Sequence, residues 1–154
     1  MTSGDAFTDR RKVIDRAELS QALSDLGEDY APDSPAMRTA VLQLLKDALA
    51  AGHDEVQRRF DASGSGNLVV TANCYLMDQL IRALYDFTTG VVFNAANPTD
   101  SERIGLVAIG GYGRGELAPQ SDIDLLFLLP YKQTPWGEQV IEYMLYMLWD
   151  LRLK

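Results

Sequence analysis

The stretch from Ile104 to Pro130, IGLVAIGGYGRGELAPQSDIDLLFLLP, constrains this chain more than any other. Ile104 to Ile109 is an unbroken apolar run with β-branched members, the pattern of a strand buried on both faces. Gly110, Gly111, Gly113 and Gly115 then let the backbone turn sharply and approach another group closely. After a short helix or loop, Ile123 to Leu129 reads as a second strand stopped by Pro130, with Asp122 and Asp124 at its start. Side chains of a strand alternate faces, so both carboxylates project to one side, followed there by Leu126 and Leu128. Ile123, Leu125, Phe127 and Leu129 pack on the other.

Two neighbouring carboxylates repel each other unless a cation neutralises them. Magnesium suits such hard oxygen ligands, binding one or two carboxylates together with substrate phosphates. A glycine turn upstream presents backbone N–H groups, and a helix starting there adds its positive end, which together hold phosphate. The stretch therefore reads as a site for a metal-bound nucleoside triphosphate, phosphates at the glycines and metal at the aspartates.

Gly110-Gly111, the spacer from Tyr112 to Ser121 and Asp122-Ile123-Asp124-Leu125 resemble the signature of the polymerase-β-like nucleotidyltransferase superfamily. The fuller string GGYGRGELAPQSDIDLL is similar to the bacterial PII uridylyltransferase/uridylyl-removing family, and LPYKQTPWGEQVIEYMLYMLWDLRLK continues the likeness. The resemblance implies an α/β (α+β) fold in which N-terminal helices precede an incomplete nucleotidyltransferase core, ordered strand, glycine turn, helix, strand, helix. It implies transfer of UMP from UTP to a tyrosine hydroxyl of the PII nitrogen-regulatory protein, with Mg2+ held by Asp122 and Asp124 as the catalytic pair. Gly110, Gly111, Gly113, Arg114 and Ser121 would bind the nucleotide. Two of these keep a second reading: Arg114 pairs either with the triphosphate or with Glu116, and Ser121 either bonds a phosphate or caps the strand. Tyr112 is read as packing.

Composition narrows the field. The 154 residues are enough for one domain, or one domain and a tail, and 47% apolar content suffices for a core. A formal charge of −8 argues against a general nucleic-acid-binding surface. Cys74, the single cysteine, excludes an internal disulfide and is read as a small buried apolar residue in a reducing cytoplasm. No apolar run reaches the roughly 18–20 residues of a membrane helix, and MTSGDAFTDRRKVID lacks a signal-peptide core.

Three regions are expected: an N-terminal helix and linker over 1–33, a helical region over 34–100 and a truncated nucleotidyltransferase core over 101–154. Met1 to Arg11 reads as a frayed tail. Asp15 to Leu26 predicts a short helix stopped by Gly27, and EDYAPDS a linker. Ser34-Pro35 is an N-cap followed by proline at the first helical position. Met37, Val41, Leu44, Leu45, Ala48, Leu49, Val56 and Phe60 then mark a long amphipathic helix with its weak point at Gly52. His53 is a solvated helix position, and Arg58 and Arg59 complement the helix dipole. SGSGN (63–67) reads as a flexible connection, and Thr71 to Thr89 as a helix that GVVF extends or leaves. Thr134-Pro135 starts a last helix whose broad apolar face runs through Val140, Ile141, Met144, Leu145, Leu148 and Leu151, thickened by Tyr143, Tyr146 and Trp149. The helices are expected to pack together and carry no chemistry.

The family fold has further strands, a third carboxylate and later domains beyond this point. The sequence is accordingly expected to be the N-terminal part of a longer protein, inactive by itself, whose exposed strand edges allow self-association. Alternatives are an adenylyltransferase of glutamine synthetase or another nucleotidyltransferase, a non-enzymatic nucleotide- or partner-binding fragment, and a purely structural helical oligomer.

Overall fold

The computed structural model describes residues 7–153. Its long helices begin where a short polar side chain takes up the free amides of a first turn. Asp15 accepts from Ala17 and Glu18, Ser34 from Met37, Ser65 from Leu68 and Thr134 from Gly137. These caps open α1 (Arg16–Asp29), α2 (Pro35–Ser63), α3 (Gly66–Phe87) and, late in the chain, α5 (Pro135–Asp150). Between α3 and α5 lie β1 (Gly105–Ala108), the one-turn helix α4 (Gly110–Gly113) and β2 (Leu125–Leu128). The expected order of helices, strand, glycine turn, helix, strand and helix is found with one difference: the glycine turn itself forms the short helix α4.

α3 packs against both α1 and α2. Leu23 of α1, Met37, Val41 and Leu45 of α2, Leu76, Leu80 and Leu84 of α3, and Val140 and Met144 of α5 are fully buried. Of the apolar series predicted for α2, Met37, Val41, Leu45, Leu49 and Val56 are buried, while Phe60 is exposed. On α5, Tyr143 is buried, but Tyr146 and Trp149 are exposed and meet edge to face at 5.8 Å. At about 100° per residue they lie well round the helix from Met144, so they do not thicken its apolar face.

Three glycine-based expectations are corrected. Gly27 does not stop α1, which continues to Asp29. A Cβ there would lie 2.5 Å from Val91 Cγ1, so the residue is a close-packing point. Gly52 is likewise no weak point: α2 runs through it unbroken, and a Cβ would lie 2.5 Å from Leu76 Cδ1 and 3.0 Å from the Val13 carbonyl. SGSGN is not a flexible tether. Gly64, left-handed at φ 66°, closes α2 by donating to the Phe60 carbonyl, and Ser65 caps α3 at once. The pair makes a tight helical hairpin, and α3 starts at Gly66 rather than Thr71. At its far end α3 passes into a π turn (Thr88–Val92), where buried Thr88 donates to the Leu84 carbonyl.

The frayed tail is also corrected over its described part; residues 1–6 lie outside the described residues. Phe7 meets Tyr75 edge to face at 5.4 Å, and Arg59 stacks on Phe7 while donating to the carbonyls of Thr8 (2.7 Å) and Asp9 (2.9 Å). Arg59 therefore anchors this segment instead of serving the helix dipole. Glu55 accepts from both Arg58 and Arg59, and those hydrogen bonds hold its carboxyl down to about 2.

β1 and β2 pair antiparallel, Val107 opposite Leu126 and Ala108 opposite Leu125. Leu106, Ala108, Ile123, Leu125 and Phe127 pack on the helical core, whereas Val107, Ile109, Leu126 and Leu128 are exposed. The apolar runs are thus covered on one face only, contrary to the two-sided burial expected of Ile104 to Ile109. A two-stranded antiparallel ribbon has a single layer of helices to lie on. Among the described residues no helix is long and apolar enough to cross a membrane.

Replacing Gly52 by alanine tests the packing. Helix propensity alone would gain about 1 kcal/mol, but the added methyl collides with fully buried Leu76. A net loss of about 1–2 kcal/mol is expected from urea unfolding, overpacking outweighing propensity; a gain in stability would contradict the contact.

Candidate functional site

β1 delivers the chain to Ile109, whose amide donates to the Asp124 carbonyl at 3.0 Å and so extends the ladder one step past the strands. Gly110 follows at φ 61°, a left-handed conformation that favours glycine. A second reason excludes a side chain: a Cβ there would lie 2.5 Å from Asp124 Oδ2. The second acid therefore packs directly on the first glycine. A Cβ at Gly113 would lie 2.5 Å from the Ala108 carbonyl oxygen, so that residue lets the turn fold back onto β1.

The turn closes on itself. The amide of Gly113 donates to Ile109, that of Arg114 to Gly110 and Gly111, that of Gly115 to Tyr112 and that of Glu116 to Gly111. Among the described residues the amides of Gly110, Gly111 and Tyr112 meet no such acceptor. They are the free first-turn donors to which an anion is drawn.

Asp122 and Asp124 stand just ahead of β2, not at its start as expected. Both are exposed while Ile123 between them packs inward, so the predicted alternation holds. Their oxygens are the right donors for magnesium. Among the described residues no three His, Cys, Asp or Glu side chains gather into a metal cluster. Arg114 donates to Glu116 at 3.3 Å, both side chains about two-thirds exposed. That is the second of its two expected partners, and an exposed pair of this kind holds the guanidinium only weakly. Ser121 is exposed, its amide bonded to the Ala118 carbonyl. Ser121 and Asp122 also border an open groove of about 1040 Å³ between their loop and the facing sides of α2 and α3; Asp124 and the glycine turn lie outside it. His53, exposed on α2, is on its far wall.

Tyr112 is buried, as expected, but its hydroxyl also donates to Asp78 Oδ1 on α3 at 2.6 Å. Burial raises the phenol's pKa and the hydrogen bond to Asp78 raises it further. Buried Asn73, one turn earlier on α3, donates to the Leu117 carbonyl at 3.3 Å. Half-buried Cys74 sits beside them, its thiol pushed up by burial. Sequence reasoning missed Asn73 and Asp78. The available signal was a polar residue inside an apolar helical stripe, at Asn73 between Ala72 and Leu76.

Residues 94–152 match the nucleotidyltransferase domain family, a span holding β1, the glycine turn, both acids, β2 and α5. This part of the chain is a nucleotidyltransferase domain. Over 145 residues the chain is 54% identical to a bifunctional uridylyltransferase/uridylyl-removing enzyme of Rhodospirillum rubrum and 51% identical to one of Azospirillum brasilense. Each match covers 94% of this chain and 15% of the relative, so the chain spans about 15% of the length of these curated relatives. At that identity the chain is a relative of the uridylyltransferase/uridylyl-removing enzymes. No solved structure matches it.

Two glycines of the turn should respond differently to alanine. Gly115, left-handed at φ 75° with open space around it, should lose about 1 kcal/mol through backbone conformation alone. Gly113 faces main-chain atoms that cannot swing aside, and its replacement should lose about 3 kcal/mol. Equal losses in urea titration would contradict the turn's packing on β1.

Proposed function

We propose that this chain supplies the metal and triphosphate half-site of a uridylyltransferase that transfers UMP from UTP to a tyrosine hydroxyl of a PII signalling protein. The observation that supports this reading is the packing of the Asp124 carboxylate on left-handed Gly110, beside a turn whose first amides meet no backbone acceptor. Uridylyl transfer is supported by the names of the relatives. The PII acceptor is supported by the likeness of GGYGRGELAPQSDIDLL to that family.

In this reading Asp122 and Asp124 hold Mg2+. When bound, the ion neutralises charge on the triphosphate and polarises it toward attack. The free amides of Gly110, Gly111 and Tyr112 receive a phosphate oxygen, and Gly113 keeps the turn seated on β1. Arg114 exchanges its exposed Glu116 partner for the triphosphate, and the Ser121 hydroxyl donates to it. The acceptor hydroxyl gives up its proton to solvent, its oxygen forms a bond to the α-phosphorus, the bond to the bridging oxygen breaks, and pyrophosphate leaves with that electron pair. Catalysis of this kind is chiefly positioning and charge stabilisation. The net charge of −8 fits a nucleotide held locally, not a nucleic-acid track, and the single free cysteine fits a cytoplasmic setting.

A second reading concerns the chain by itself. Val107, Ile109, Leu126 and Leu128 form a bare apolar sheet face, which favours self-association through the sheet.

Titration calorimetry with UTP and with ATP, with and without magnesium, tests the main reading. Magnesium-dependent UTP binding is expected, at least about tenfold weaker in an Asp122→Ala/Asp124→Ala variant that keeps its circular dichroism, with ATP the poorer ligand. Binding by a folded wild-type chain that ignores magnesium, or that survives the double substitution, would contradict it.

A further inference from the structure

The glycine turn is poorly built to hold its own shape. Four of the six residues from Gly110 to Gly115 are glycine, and its single helical turn lies far below the length at which a helix is stable alone. Its internal hydrogen bonds are all local. Two long-range side-chain hydrogen bonds fix it, and both come from α3. The hydroxyl of Tyr112, a residue 5% exposed, donates to Asp78 Oδ1 at 2.6 Å, a length typical of a hydroxyl bound to a carboxylate. Asn73, 6% exposed, donates to the carbonyl of Leu117 at 3.3 Å. The first contact grips the middle of the turn, the second its exit toward the loop that carries Asp122. The same helix reaches the entry to β1, where Tyr85 donates to the Ile104 carbonyl at 3.2 Å.

Core packing alone does not call for this arrangement. A phenylalanine at 112 would fill the same volume, and burying a phenol costs stability unless its hydroxyl finds a partner. Only the tyrosine with its carboxylate fixes the turn in direction as well as depth. The amides of Gly110 and Gly111 then keep their aim relative to Asp124.

We propose that Asp78, through Tyr112, and Asn73, through Leu117, are positioning residues that hold the glycine turn in the geometry required to receive a magnesium-bound nucleoside triphosphate. The nucleotide part of this inference rests on the function proposed above; the anchoring of the turn does not. Neither residue touches the nucleotide. Each acts through the main chain it holds, and displacement of such a frame by about 1 Å is enough to weaken a site by one to two orders of magnitude.

The test compares Asp78→Ala, Asp78→Asn and Tyr112→Phe with the wild-type chain by two readouts. One is amide hydrogen exchange at Gly113 to Glu116, the other the Kd for UTP in magnesium. Asp78→Ala and Tyr112→Phe are expected to speed exchange at those amides about tenfold or more, with α2 unchanged, and to weaken UTP about tenfold. Asp78→Asn, whose amide oxygen still accepts from Tyr112, should stay within about threefold of wild type in both. Unchanged exchange and Kd in Asp78→Ala would overturn the proposal. Faster exchange throughout the chain, with Asp78→Asn no better than Asp78→Ala, would also overturn it, since Asp78 would then serve stability in general. If the wild-type chain binds no UTP while exchange responds locally, the nucleotide reading falls and the anchoring stands on the exchange data.

Discussion

The carboxylate of Asp124 occupies the space that a side chain at Gly110 would need. The local architecture follows from that exclusion. The turn can lie against the acid only because residue 110 has no Cβ and accepts a left-handed backbone. The contact in turn requires Ile109 to pair with Asp124, the next step of the register that places Val107 opposite Leu126. A slip of one residue would turn Ile123 outward and both acids inward. The apolar residues on the inner face of the ribbon therefore act on the chemistry as well as on stability: they determine which way the carboxylates point.

A two-stranded ribbon is marginal by itself, and this one draws its rigidity from the helical layer. α2 and α3 form a tight hairpin whose facing sides are closely packed, with Gly52 of α2 against Leu76 of α3. α3 then bonds to the chain at Ile104, Tyr112 and Leu117, either side of the glycine turn and within it. The chain after the π turn is held as well, since Trp136 at the start of α5 donates to the Phe93 carbonyl at 2.6 Å. The N-terminal segment is tied back to α2 through Arg59. The outer face of the ribbon, with Val107, Ile109, Leu126 and Leu128, is left uncovered.

Much of this was legible in the sequence. Polar caps before Pro35 and Pro135 marked two helix starts correctly, because the signals are local: a side-chain oxygen within reach of its own first turn. Met37, Val41, Leu45, Leu49 and Val56, the buried apolar side chains of α2, followed from their period. The acids and glycines could be singled out because their spacing is itself the signal, and the structure brings Gly110 against Asp124. What failed has one physical origin, the dependence on partners remote in sequence. Gly27 and Gly52 look like helix breakers until Val91 and Leu76 are seen pressed against them. An all-apolar strand does not announce whether one face or two will be covered. Arg59 reads as a dipole complement until Thr8 and Asp9 supply it with carbonyls. Asn73 and Asp78 were overlooked because their partners lie 44 and 34 residues away.

The central claim is that the glycine turn and the two acids face one bound ligand. The most direct measurement is paramagnetic broadening of backbone amide resonances by Mn2+ in the presence of UTP, manganese taking the same oxygen ligands as magnesium. The account predicts that Gly110, Gly111, Tyr112 and the segment from Asp122 to Leu125 broaden together at low Mn2+, while α1 and α5 stay sharp. Broadening confined to Asp122 and Asp124 with the glycine amides untouched, or spread over acidic residues of the helices, would contradict it.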